Sequence, residues 1–176
     1  MEIFNYNDES NNFWQQIDRL EKLIRAAEVK AGILFSFHSF IIGLLINRLE
    51  FFSVLFTGNV ILIIFGICWI VLVLISIYYC FNCFIPRMEL KYDDNVFFYK
   101  DAVQAFGTMK NYKEKLIKAC TTDEDLYSQL SEQIHAESKI VAMKFLSIKM
   151  ALKFFAFSLI FVVLILVFSA IYIGIG

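Results

Sequence analysis

The groups in this chain able to do chemistry are few and scattered. His38 and His135 are its two histidines. His38 falls in the middle of an apolar stretch, where an ionisable group is costly and turns toward a bundle interior or toward water. Two readings fit it: a neutral imidazole bonded to a neighbouring hydroxyl, or a gating or conducting group. Cys80 and Cys83 form a C-x-x-C, but Cys68 and Cys120 lie far off in sequence, and a zinc centre needs about four ligands. Buried apolar thiols in a reducing compartment are the simpler reading, with neither a metal site nor a disulfide. Asp93-Asp94 reads as a helix start rather than a carboxylate pair, and His135 has no Cys or Ser nucleophile to activate. G-x-S-x-G, P-loop and H-E-x-x-H patterns are missing, as is an acidic metal cluster. No catalytic residue, metal ligand or cofactor is therefore assigned, and the expectation is a protein that is not an enzyme. Gln133, Glu137, Ile140 and Lys144 fall within about 60° of one helix face. That face is either solvated and internally paired or a place where a small anion binds between helices.

These groups must be positioned by helices lying largely in lipid. The 176 residues are 59% apolar and 19% charged, against about 45–50% and 25% in soluble domains. The formal net charge is −1, so no global field steers the chain to polyanions; a disordered chain or a nucleic-acid coat is excluded. Residues 1–30 carry ten charges, 48–53 two and 87–153 twenty-one, while 31–47, 54–86 and 154–176 carry none. The charge-free blocks predict transmembrane helices over about 31–47, 60–85 and 154–173. The first is short, and Lys30 can snorkel from it to the headgroups. Its long acidic leader argues against a signal peptide. The second follows a turn at Gly58-Asn59, holds Trp69 deep in the span and Tyr78-Tyr79 at an interface, and must stop near Pro86. With 1 proline and 7 glycines in the chain, long helices and few loops are expected.

Lys and Arg number four in residues 1–30, one between the first two spans, eleven in 87–153 and none after the third span. The positive-inside rule then puts 1–30 and 87–153 in the cytoplasm and the carboxy terminus outside. These cytoplasmic parts read as helical too. Asp18–Lys22 and Glu21–Arg25 are i,i+4 pairs with the acid first, on one helix from about Asn11 to Asn47. Asp94 or Asn95 is expected to cap a helix reaching Phe106, Gly107 to interrupt it, and a further helix to run from Thr108 to about Cys120. Thr121 with Glu124 and Thr122 with Asp125 offer capping boxes for a last helix of about 50 residues from Asp123 to Ile173. Its stripe is Leu126, Leu130, Ile134, Val141, Phe145 and Ile148. A cytoplasmic insert this small must pack on the first helix. The fold class is an all-α membrane protein: three transmembrane helices whose helical cytoplasmic extension forms one continuous bundle, a single domain over 1–176.

On the first helix, Arg25, Glu28, Gly32, Ser36, Ser39 and Gly43 share one narrow face. Small residues at this spacing let backbones approach in lipid, and hydroxyls can bond across helices. The face either packs inside the molecule against the second or third span, or forms a subunit interface or pore lining.

A family resemblance runs through these elements. Arg25-Ala26-Ala27-Glu28-Val29-Lys30-Ala31-Gly32 resembles the R-x-A-D-x-K-A entry to the first span of the Pycsar transmembrane effectors, membrane effectors of a bacterial pyrimidine-cyclase antiphage system. Phe37-His38 is similar to that family's mid-span Phe-Asn, and Pro86-Arg87 to the Pro-Arg closing its second span. Phe97-Phe98 with Asp101 resembles F-F-x-x-D, Tyr112 the Tyr that follows, and Gln133 to Ile140 the Q-I-x-x-x-S-x-I core, with Lys144-Phe145 after it. Glu28 stands where the family has Asp, and His38 where it has Asn. The resemblance covers about residues 14–173.

It implies an effector in the bacterial inner membrane, switched on by cyclic UMP or cyclic CMP from a partner cyclase, which impairs that membrane and kills the infected cell. A cyclic nucleotide bound under that implication needs a cation for its phosphate, which Arg25, Lys30 or Lys144 can supply. Gln133 offers a donor and an acceptor to a pyrimidine edge. Phe97, Phe98 or Tyr112 can stack on the base; alternatively the aromatics fill the cytoplasmic core and the cations anchor helices at headgroups. The partners are then the lipid bilayer, further copies of the chain through Gly32, Ser36, Ser39 and Gly43, and the cyclase through its product. Two other readings stand beside this one: an accessory or structural subunit of a membrane complex, and a holin-like toxin needing no ligand.

Overall fold

The computed structural model describes residues 6–47, 59–85 and 94–175. These form helices α1 (Tyr6–Ile46), α2 (Val60–Phe84), α3 (Tyr99–Gln104), α4 (Met109–Ala119) and α5 (Asp123–Ile175), with no strand among the described residues. At about 1.5 Å per residue α1 and α5 are roughly 60 and 80 Å long. The all-α class and the three long apolar helices agree with the sequence: α1, α2 and α5 are each long and apolar enough to cross a membrane. Gly58 and Pro86-Arg87 lie outside the described residues, as do residues 48–57. Asn59 caps α2, its Oδ1 accepting from the Ile61 N–H at 3.1 Å.

Contacts divide the chain into two compact units. The first takes α1 as far as Ala26, α3, α4, and α5 as far as Ala142. Val96, Phe106 and Ala119 form its buried cluster, with Phe97, Tyr112 and Leu116 packed on it. On the α1 side Phe13 stacks on Tyr127 at 5.1 Å, and Trp14 meets Phe97 edge-on at 5.5 Å. The insert thus packs on the first helix as its small size required.

Asn95 organises the entry to this unit from a fully buried position. Its Nδ2 donates to the Gln129 carbonyl at 2.8 Å and to Glu132 Oε2 at 3.2 Å, and its Oδ1 accepts from the Phe97 N–H. The expected helix from Asp94 or Asn95 to Phe106 is therefore corrected. Residues 95–98 make a turn closed by Phe98 N–H to Asn95 C=O, and α3 starts only at Tyr99, with no side-chain cap. The cause is local competition: an Asn side chain that bonds its own backbone two residues on builds a turn in place of a helical start. Asp101 holds the turn from below, accepting from the Asn95 N–H at 3.1 Å.

Gly107 has φ of +66°, a left-handed conformation that only glycine adopts cheaply. It lets the chain reverse so that Thr108 can cap α4 through the Asn111 N–H. The Thr121 capping box is corrected as well: its hydroxyl donates backward to the Ile117 carbonyl at 2.6 Å and so finishes α4. α1 starts earlier than Asn11. Of its two expected ion pairs, Asp18–Lys22 closes at 2.6 Å, and no pair between Glu21 and Arg25 occurs among the described residues.

The second unit takes α1 from Ala27, α2, and α5 from Met143. Its interior is made of small groups: Ala27, Ala31, Cys83 and Ile148 in one cluster, Leu34, Cys80 and Ala151 in the next, Leu62 with Ile165 beyond. The C-x-x-C thiols are thus packing groups between helices. Large apolar side chains point outward, Val60, Leu74 and Phe40 all being at least 60% exposed. A soluble core would do the reverse; in lipid an apolar exterior carries no penalty, and small interior residues let helices approach.

Candidate functional site

Where α1, α2 and α5 meet in the second unit, polar groups are joined in the interior. Lys144 of α5 is buried. Its Nζ donates to Glu28 Oε1 of α1 at 2.8 Å and to the Cys83 carbonyl of α2 at 2.6 Å. That carbonyl belongs to the last turn of α2, whose final carbonyls have no intrahelical donor, and a cation there also meets the negative end of the helix dipole. One ammonium therefore satisfies a carboxylate and a helix terminus at once. Near it Lys30 holds its ammonium 5.6 Å from the centre of the Phe145 ring, a cation–π contact.

Deeper in the unit, His38 is buried and its Nε2 lies 2.8 Å from the Ser76 hydroxyl. Ser76 itself donates to the Ala151 carbonyl at 2.8 Å. A serine has one hydrogen to give, so Nε2 must carry the proton and donate to Ser76. Phe155 packs edge-on against the ring at 4.9 Å. His38 thus links α1 through α2 to α5 by the hydroxyl bond that its first reading expects.

The small-residue face of α1 behaves otherwise. The Ser36 and Ser39 hydroxyls bond the Gly32 and Phe35 carbonyls of their own helix, not a neighbouring one. A Cβ on Gly32 would come within 3.8 Å of Phe84, ordinary contact, and one on Gly43 would meet nothing within 4 Å. Among the described residues, then, the Gly32 end of the face adjoins α2 and the Gly43 end adjoins open space.

The other candidates belong to the first unit. Arg25 is exposed. Gln133 donates through Nε2 to Glu137 Oε1 at 3.0 Å, while Gln133 Oε1 and Glu137 Oε2 are buried without a partner. Burial pushes the Glu137 carboxyl above its ordinary value and nearby Glu21 pushes the same way, against the hydrogen bond from Gln133. Of the aromatics, Phe97 and Tyr112 pack on the Val96–Phe106–Ala119 cluster, and Tyr112 donates to the Val96 carbonyl at 3.3 Å. They fill the core. The four cation and amide candidates are thus shared between the units, Arg25 and Gln133 in the first, Lys30 and Lys144 in the second. Lys144 and Gln133 already have protein partners. Sequence reasoning named Glu28 and Lys144 without pairing them, took Asn95 as a helix cap only, and assigned Ser76 no partner; a single buried polar residue leaves no periodic trace.

Two tests follow from this chemistry. Lys144 has 6% of its side chain exposed and Glu28 40%. Removing Glu28 strands a buried ammonium, whereas removing Lys144 leaves a carboxylate that can turn to solvent. Glu28→Leu should therefore lower the thermal midpoint in detergent more than Lys144→Met, and the double variant should cost less than the two together. Additive losses, or the opposite order, contradict the pairing. For Glu137, a raised folded-state pKa means that the folded protein keeps a proton the unfolded chain has released. Stability is accordingly lost as pH rises from the ordinary 4.5 through the raised value. Glu137→Gln should flatten the dependence of the midpoint on pH across that window, and an unchanged slope would refute the assignment.

The family model for the Pycsar effector protein domain matches residues 12–171 of the chain. No curated protein and no solved structure matches it.

Proposed function

The chain belongs to the Pycsar effector family, and from that premise we propose that it is a membrane effector switched on by cyclic UMP or cyclic CMP. As a family member it is an antiphage-defence effector, and α1, α2 and α5 make it a membrane protein. The observation that carries the proposal is that the family match runs across all three spans and the helical segments between them. The nucleotide comes from a partner cyclase, and its binding shifts the spans from a resting to a membrane-impairing arrangement. It does so only by binding the second arrangement more tightly. The effector sits in the inner membrane with its amino terminus and residues 87–153 in the cytoplasm. The four, one, eleven and zero basic residues along the chain support that orientation.

Copies of the chain associate through Gly32, Ser36, Ser39 and Gly43. The free space beside Gly43 supports this, since a second helix can approach there without displacing a side chain. The chain supplies no chemistry of its own, and its action is mechanical, through rearranged helices.

Dye release from proteoliposomes tests the proposal. Full-length protein should release an entrapped dye on addition of cyclic UMP or cyclic CMP and not of cyclic AMP. Gly43→Leu should reduce release while leaving insertion intact. Release without any nucleotide would make it the ligand-independent toxin, and tightness with every cyclic pyrimidine nucleotide would contradict the proposal.

A further inference from the structure

The first unit contains a pocket of about 670 Å³, within the range of about 300–1,000 Å³ usual for small-molecule sites. We propose that this pocket, bounded by α4 and the start of α5, is where the cyclic pyrimidine nucleotide binds. The inference rests on the function proposed above and locates its receptor site away from the cations nearest the spans.

Three kinds of group line the pocket. Asn111, Lys115 and Lys118 follow one another on α4 at steps of four and three, so they share a face. Both ammoniums are exposed to solvent, and among the described residues neither enters a salt bridge. Gln129 of α5 lines the pocket too, and its amide is oriented because Oε1 accepts from the Val96 N–H at 3.0 Å. That bond fixes which end is the donor: the Nε2 hydrogens are left for a ligand carbonyl. Val96 and Phe106 add an apolar surface.

This lining selects a ligand class. A phosphodiester with one negative charge meets two lysines. The O2 carbonyl common to uracil and cytosine meets an amide donor, and the face of a planar ring meets Phe106. Asp94, Glu114 and Asp125 line the same pocket, which disfavours a bare multivalent anion. These carboxylates accept from the donors a nucleotide carries, the ribose hydroxyl and the base N–H groups. The pocket is therefore matched to a small molecule having one anionic end and several donors, as a nucleoside cyclic monophosphate has.

Lys144, by contrast, is committed to Glu28 and Cys83. Among the described residues Lys115 and Lys118 form no such bonds, and they lie outside the buried core, so replacing them leaves the fold intact. The remaining lysines of α4, Lys110 and Lys113, do not line the pocket and give a control with the same change in charge.

Calorimetric titration of detergent-purified full-length protein with cyclic UMP and cyclic CMP tests the assignment. The double variant Lys115→Ala/Lys118→Ala should weaken binding by about ten-fold or more, the scale of a lost charge-assisted hydrogen bond. Lys110→Ala/Lys113→Ala should leave it within about two-fold, below that scale. Inorganic phosphate should not displace the nucleotide. Equal losses in the two double variants, no loss in either, or displacement by phosphate would overturn the pocket while leaving the effector function standing. Failure of the unaltered protein to bind either nucleotide would overturn both.

Discussion

A buried ammonium must have partners, and Lys144 has them on two other helices. Left alone in the interior its charge would cost several kcal/mol. It is held by a carboxylate on α1 and by the unsatisfied end of α2, so the three helices of the second unit can pack only in a register that brings Glu28, Cys83 and Lys144 together. Van der Waals packing in lipid is less discriminating, because lipid tails are as apolar as the side chains they replace. The small interior residues Ala27, Ala31 and Ala151 let the helices come close; the ammonium fixes which residues face each other.

The same constraint explains His38. A helix in hydrocarbon satisfies its own backbone, but a side chain with polar atoms must find its partner on a neighbour. The line from His38 through Ser76 to the Ala151 carbonyl does this across the three helices. The outward faces carry exposed apolar residues, which make no such demands in a hydrocarbon surrounding. A few polar links, from Lys144 to Glu28 and Cys83 and from His38 through Ser76 to Ala151, thus define the packing of the second unit.

Much of the fold was legible because charge and apolar periodicity are collective signals. The empty blocks 31–47, 54–86 and 154–176 announced α1, α2 and α5, and the lack of breakers after Asp123 announced the length of α5. Single polar residues are another matter. Asn95 was read as a helix cap and is instead a buried hub, since its choice between cap and turn depends on Gln129 and Glu132, more than thirty residues away. Thr121 fitted a forward capping pattern and bonds backward to Ile117. Glu28 and Lys144 were each noticed, yet their pairing across |i−j| of 116 leaves no mark on either segment. Lys115 and Lys118 stand on an exposed face of α4, and it is the placement of Gln129 and Phe106 beside them that distinguishes them.

The central claim is that a nucleotide received in the first unit acts on spans in the second, along two helices, α1 and α5, that run through both without a break. Hydrogen–deuterium exchange on the protein in proteoliposomes tests it most directly. Exchange would be followed by peptide with and without saturating cyclic UMP or cyclic CMP. The account predicts slower exchange over residues 109–129, where the ligand sits, together with altered exchange over 27–46 and 143–160, where the Lys144 and His38 links lie. Protection confined to 109–129, with the spans unchanged, would contradict it.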